Sequence, residues 1–214
     1  MRKAIDIIAK TLSIILYPLF VPTYGVALFC RMQILQEYSL PAVWIGVAIV
    51  GTFVLTCALP LSAIYILIRK GEISDIQMAN SSERTMPYIY TIGGLGFWCY
   101  LMIAILEAPV YIGFVCVGAT LAILIVAIIN RWWKISAHLT GLGGLFGGLI
   151  SYCMGTGAIP TWWLLCIWAV ITLLLMYSRL WLNAHSATQV TAGWLLGIAC
   201  TFVPYSIYYY VYLA

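Results

Sequence analysis

Long apolar runs, broken by only a few short polar stretches, dominate this chain of 214 residues. A helix that crosses a bilayer needs about 17 to 25 apolar residues. Seven segments are long enough, with generous boundaries: 5–30, 42–68, 88–106, 110–129, 139–156, 160–177 and 190–212. Only 7% of the residues are charged, whereas a soluble domain has about a quarter. We therefore predict an all-α, polytopic membrane bundle of six to seven transmembrane helices that forms one integral membrane domain, residues 1–214.

Two of these segments contain residues that shape a helix. Pro18 and Pro22 lie inside 5–30, and an internal proline bends or breaks a helix. The segment 139–156 is rich in glycine, with two overlapping Gly-x-x-x-Gly pairs, Gly143 with Gly147 and Gly144 with Gly148. Such pairs let a neighbouring helix backbone approach closely. We expect a bend in the first segment and tight helix packing in the fifth.

Composition also excludes several classes of function. The formal charge of +4 is small and scattered, so it does not indicate a nucleic-acid partner. The seven cysteines lie almost entirely within apolar runs, without a Cys-x-x-Cys pair, so they are typical of packing residues rather than of a disulfide or zinc framework. The sequence gives no indication of the oligomeric state.

Three polar stretches interrupt the apolar pattern: 83–87, 134–138 and 177–189. Two predicted spans separate the first stretch from the second, and two more separate the second from the third. An even number of crossings returns the chain to the same face, so all three can meet. Ionisable groups are costly in lipid, which makes those kept at span ends candidates for function. The pattern predicts one phosphate-binding and phosphoryl-transfer site at a membrane surface.

The residue types in these stretches suit that chemistry. Ser136 is a good N-cap for the following apolar helix, and the free N–H groups of such a helix start attract an anion. His185 and Gln189 share a helix face, so the Gln189 carbonyl can accept from one ring nitrogen and leave the other as a nucleophile. Arg84 and Arg179 offer planar donor forks for phosphate oxygens. The alternative is that Ser136 only caps and that each arginine only reaches the lipid headgroups.

In order and spacing, these residues resemble the type 2 phosphatidate phosphatase family, which shares its core with vanadium haloperoxidases. The match rests on Arg84-x-x-Pro87, Ser136-x-His138 and Ser178-Arg179 followed by His185, and covers about residues 70–200. The resemblance implies a helical membrane enzyme that removes phosphate from lipid phosphates or diphosphates without a metal or cofactor. It further implies that His185 attacks phosphorus to give a phosphohistidine and that His138 protonates the leaving oxygen. Arg84, Arg179, Ser136 and the helix N-terminus would hold the phosphoryl oxygens.

The chain departs from the family pattern at several positions. Gln77 stands where the family has a phosphate-binding lysine, Pro87 is displaced from its usual place, and Gln189 replaces an aspartate. A neutral amide can orient an imidazole but cannot stabilise an imidazolium as a carboxylate does. We expect a slower enzyme, an acid recruited from Asp75 or Glu83, or a protein that keeps the pocket and has lost turnover.

The leading hypothesis is a lipid phosphatase whose partners are a phosphorylated lipid and the surrounding membrane lipids. The alternatives are a weakened relative that binds or moves an anionic lipid and, less favoured, a small transporter. We expect a multi-pass protein of a bacterial cytoplasmic membrane. Of the ten basic residues, all but Arg31 lie on the face of the three stretches, which predicts a cytoplasmic site. The resemblance favours the outer face, and a re-entrant first segment would remove most of the bias.

Overall fold

The computed structural model describes residues 2–32, 40–75, 78, 82–156 and 162–212. This part of the chain is helical and contains no strand. Its eight helices are α1 (Arg2–Ile15), α2 (Val21–Arg31), α3 (Ala42–Arg69), α4 (Thr85–Ile105), α5 (Val110–Ile129), α6 (Ala137–Thr156), α7 (Trp162–Trp181) and α8 (Ala187–Tyr212). Among the described residues, α3, α4, α5, α7 and α8 are long and apolar enough to cross a membrane. The predicted all-α membrane bundle is confirmed.

The prediction of a single first span, 5–30, is wrong. The chain forms two helices there, α1 and α2, separated by residues 16–20. Pro18 lies in the break, and Pro22 lies in the first turn of α2, where a missing N–H costs nothing. At 14 residues α1 is about 21 Å long, too short to cross the hydrocarbon layer.

α1 packs along α7 through one face and exposes the other. Ala9 and Ser13 are buried, whereas Ile7 and Ile14 are two-thirds exposed. The indole Nε1 of Trp181 at the end of α7 donates a hydrogen bond to Asp6 of α1 at 2.7 Å. α1 is therefore fixed beside the end of α7, with an apolar face free to meet lipid.

α6 is the central helix of the bundle. It packs against α8, α5, α7 and α2, and Leu139, Leu142 and Leu149 on it are fully buried. Cβ atoms at Gly143 and Gly147 would collide with the α8 backbone, which confirms the close approach predicted from the glycine pairs. Because protein surrounds this helix, it does not need the apolarity of a lipid-facing span. All seven cysteines are free and six are buried, as expected of packing residues.

The contacts between helices fix the direction of each crossing. Val21 at the start of α2 lies beside Gly141, and Phe29 lies beside Gly148 further along α6, so the two helices run in the same direction. At the far end of the bundle, the indole of Trp44 in α3 donates to the carbonyl of Leu106 just after α4 at 2.7 Å. α3 thus begins at the end opposite to the three polar stretches, and the stretches lie together at the other end.

Candidate functional site

A cavity of about 810 Å³ lies where the three polar stretches meet. The polar end of its wall holds Lys10, Tyr17, Arg84, Lys134, His138, Arg179 and His185. The four predicted side chains, Arg84, His138, Arg179 and His185, are therefore brought together as expected. Among the described residues, no Asp or Glu lines this cavity, although four Lys and Arg side chains do.

His185 lies in the turn between α7 and α8. Its Nδ1 is 3.3 Å from two acceptors, the backbone carbonyl of Lys134 and the Oε1 of Gln189. Both acceptors require Nδ1 to carry the proton, which leaves the lone pair on Nε2. Burial first, then Arg179 and Lys134, lowers the pKa of His185 to about 4. The imidazole is thus neutral at physiological pH, in the protonation state that a nucleophile requires.

Gln189 has a second role at the start of α8. Its Oε1 accepts a hydrogen bond from the backbone N–H of Ser186 at 3.1 Å, and its own N–H donates to the Ser186 hydroxyl at 3.4 Å. This reciprocal pair is a capping box, in which an N-cap serine and a residue three positions later satisfy each other's backbone donors. The helix start and the orientation of His185 therefore depend on the same amide oxygen.

Ser136 caps α6, as its position predicts. The hydroxyl accepts from the N–H of Leu139 at 3.5 Å, and the carbonyl accepts from the N–H of Thr140 at 3.0 Å. Its N–H donates to the carbonyl of Gln189 at 3.3 Å, which joins the starts of α6 and α8. The side chain is fully buried and does not line the cavity, although the next two residues, Ala137 and His138, do.

His138 is held by the last turn of α1 and by the segment that follows it. Its Nε2 lies 3.1 Å from the backbone carbonyl of Ser13, which accepts a hydrogen bond when that nitrogen is protonated. The ring of Tyr17 meets the His138 ring edge-on, with 5.6 Å between their centroids. Only Nδ1 of His138 is left for a ligand in this arrangement.

Arg84 lies just before α4 and is 9% exposed. Its Nε donates to the carbonyl of Met78 at 2.9 Å, and one terminal nitrogen donates to Oδ1 of Asn130 at 3.3 Å. The hydroxyl of Tyr88 accepts a further hydrogen bond from it. All three acceptors are neutral, so they fix the direction of the guanidinium without offsetting its charge.

Arg179 lies in the last turn of α7 and faces the same space. Its buried Nε is without a hydrogen-bond partner among the described residues. Buried polar atoms normally have a partner, and an orphaned donor on a cation indicates a place for an anion. Arg84, Arg179 and Lys134 also repel one another, so a bound anion would relieve all three.

A comparison with protein families covers some of the helices that form this site. The sequence model of the PAP2 superfamily matches residues 96–212, more than half of the chain. This chain belongs to the PAP2 superfamily. No curated protein and no solved structure matched it. Membership confirms the resemblance seen in the sequence motifs, and it supports phosphatase-type activity on phosphate esters in general terms.

The PAP2 segment carries only part of the site. His138, Arg179, His185 and Lys134 lie within 96–212, whereas Arg84 precedes it. The segment also excludes Ser13 and Tyr17, which contact His138. The site of this PAP2 protein is therefore completed by helices that the family match does not cover.

Other expectations for the first polar stretch fare less well. Gln77, expected at the phosphate, lies outside the described residues. The Asp75 carboxylate accepts from the N–H of Met78 at 2.9 Å, and the Glu83 carboxylate accepts from the Ser74 hydroxyl at 2.9 Å. Neither carboxylate lines the cavity. The idea that one of them replaces the missing aspartate beside His185 gains no support.

The sequence patterns predict no role for four side chains that lie in or beside the site: Lys10, Tyr17, Asn130 and Lys134. Lys134 belongs to the second polar stretch, but the pattern predicts no function for it. Asn130 lies outside the three stretches. Tyr17 lies in an apolar run and gives no sequence signal by itself. Its break-forming neighbour Pro18 was the only indication that the chain turns there.

Proposed function

We propose that this PAP2 protein is a lipid phosphatase that hydrolyses a phosphomonoester or diphosphate of a lipid through a phosphohistidine. The observation that carries this proposal is a single cavity with two contrasting ends. One end holds Arg84, Lys134 and Arg179 without a carboxylate among the described residues. The rest of the wall is mostly apolar, with Phe29, Leu95, Trp98, Ile112 and Leu145 among its residues. Such a cavity suits an anionic head joined to an apolar tail.

In the proposed reaction, Nε2 of His185 attacks phosphorus. The P–N bond forms as the bond to the lipid oxygen breaks, and His138 donates a proton to that oxygen. Because Nε2 of His138 keeps its proton on the carbonyl of Ser13, the donated proton comes from Nδ1 of a doubly protonated His138, a form that the charge of the bound phosphate favours. The now singly protonated His138 then takes a proton from a water molecule, whose oxygen attacks phosphorus as the P–N bond breaks. This step releases inorganic phosphate and restores both histidines. The arginines stabilise the charge on the transferring group, the main requirement of this chemistry.

The test is phosphate release by the purified protein from phosphatidate, a polyprenyl diphosphate and a lipid A analogue. We expect release from at least one of them, and a loss of about a thousandfold or more in His185→Ala. Cys166→Ala, at an exposed position on α7, serves as the control and should keep full activity. Release that continues unchanged in His185→Ala would rule out the phosphohistidine route.

A second candidate is a relative that binds an anionic lipid without turning it over. Two observations favour it: Gln189 offers no negative charge to an imidazolium, and the carbonyl of Ser13 occupies one nitrogen of His138. The same panel separates the two candidates. Tight binding of phosphatidate with no phosphate released from any substrate would support the binding protein.

We further propose that the site opens to the cytoplasm. Lys10 lines the cavity and Asp6 is bonded to Trp181, so α1 and its basic residues stay on the face of the site. That face then keeps all ten Lys and Arg except Arg31. Positively charged residues near span ends are enriched on the cytoplasmic side.

A further inference from the structure

Lys134 has an unusual position for a lysine between two spans. It lies in the turn between α5 and α6, and its side chain lines the cavity together with Arg84, Arg179 and His185. Its backbone carbonyl accepts from Nδ1 of His185 at 3.3 Å. Arg131, three residues earlier in the same turn, is exposed and does not line the cavity. The turn thus directs one of its two cations inward and the other outward.

The electrostatic setting of Lys134 is unfavourable as it stands. Burial, followed by repulsion from Arg84 and Arg179, lowers the pKa of its ammonium group. No carboxylate among the described residues lines the cavity to offset this repulsion. Natural sites place several cations together at such cost where an anion binds between them.

We infer that Lys134 binds the anion together with Arg84 and Arg179 and is the residue that makes the site prefer doubly charged phosphate groups to singly charged ones. Lys134 acts here on the phosphate of the proposed substrate, so its role rests on the proposed function. The two arginines suffice for a phosphodiester, which carries one charge. A phosphomonoester or terminal diphosphate carries nearly two at neutral pH, and the ammonium group stabilises the additional charge.

The experiment measures binding rather than turnover, on the full-length protein in nanodiscs of uncharged lipid. Methyl phosphate, doubly charged at about pH 8, and dimethyl phosphate, singly charged, are titrated calorimetrically. Lys134→Gln should weaken methyl phosphate binding by about ten- to hundredfold and dimethyl phosphate binding far less. Lys134→Arg should retain most of the affinity, because it keeps the charge. Arg131→Gln, the matched control, should bind both ligands as the wild type does.

Three results would overturn the role of Lys134. They are wild-type protein that binds neither ligand, a Lys134→Gln variant that binds methyl phosphate as tightly as the wild type, and equal weakening for both ligands, which would indicate a damaged site. Selective loss of methyl phosphate together with failure to hydrolyse any lipid phosphate would uphold the role of Lys134. The failure to hydrolyse would instead reject the proposed phosphatase function.

Discussion

At the residue scale, the side-chain oxygen of Gln189 helps to orient the imidazole ring of His185. This oxygen accepts hydrogen bonds from Nδ1 of His185 and from the N–H of Ser186. A carboxylate oxygen in the same place could accept from both donors as well as the amide oxygen does. A carboxylate in the first turn of α8 would also interact favourably with the helix dipole. What the amide lacks is the negative charge that would stabilise the positive ring formed when Nε2 of His185 bonds to phosphorus.

We therefore predict that Gln189→Asp raises phosphatase activity by roughly tenfold or more. The added charge should also raise the pKa of His185 from its depressed value of about 4. Steady-state kinetics and NMR titration of the histidines measure the two effects separately. An unchanged or lower rate would argue that Gln189 does not orient His185.

Ser186→Ala provides a control for the capping role of Gln189. It removes the hydroxyl that accepts from the N–H of Gln189, but leaves the contact between Gln189 and His185. We expect a loss of about 1 kcal/mol in stability, as for other N-caps, with no rise in activity. A rate increase in this variant would attribute the effect to a loosened helix start.

The residues of the site differ in how far sequence could place them. The contact of His185 with Gln189 is correctly predicted, although the helical spacing that predicts it does not apply: His185 precedes α8, and Gln189 reaches back to it from the first turn of that helix. The contact of His138 with Ser13 joins residues 125 positions apart and uses a backbone carbonyl, so no side-chain pattern announces it. The same holds for Arg84 and Asn130, which meet only because α4 and α5 pack together.

At the element scale, the contact between α6 and α8 sets the position of the turn that carries His185. Gly143 and Gly197 allow the two backbones to touch, and the N–H of Ser136 reaches the carbonyl of Gln189 at one end of this contact. Any side chain at Gly197 would meet the carbonyl of Thr140 and the backbone of Gly144. The helices would have to separate to make room.

We predict that Gly197→Ala destabilises the protein by about 1–3 kcal/mol, as overpacked cores do, and lowers activity at the same time. Gly46→Ala is the matched control, because Gly46 lies within α3 and an added Cβ there meets no atom within 4 Å. Thermal unfolding in detergent and phosphate release measure both effects. Equal behaviour of the two variants would mean that the α6–α8 contact does not position the site.

Hydropathy located the elements well where a helix is continuous and faces lipid. The predicted spans 110–129 and 190–212 correspond closely to α5 and α8. The prediction of one span over 5–30 is wrong because the apolar pattern continues through the break at Pro18. The backbone turns there and brings Tyr17 to His138. An apolar sequence indicates that a segment has apolar surroundings, but it does not distinguish residues that face lipid from residues that line the apolar part of the cavity.

At the scale of the whole molecule, the distribution of charge predicts an orientation. α8 begins at the site and ends at the opposite face, so its C-terminal end should lie outside the cytoplasm. A reporter phosphatase that is active only outside should be active when fused after α8 and inactive when fused after Arg69. A fluorescent protein that folds only in the cytoplasm should give the reverse pattern. If fluorescence follows the fusion after α8, the site faces outward.

The cavity is divided between the family segment and the helices before it, so different parts of the chain supply its different walls. His185, Lys134 and Arg179 lie within residues 96–212. The part of the chain before that segment contributes part of the apolar wall and the side chains of Lys10, Tyr17 and Arg84. A substitution in the helices before residue 96 would therefore change the apolar wall or a cation of the cavity while both histidines stay in place.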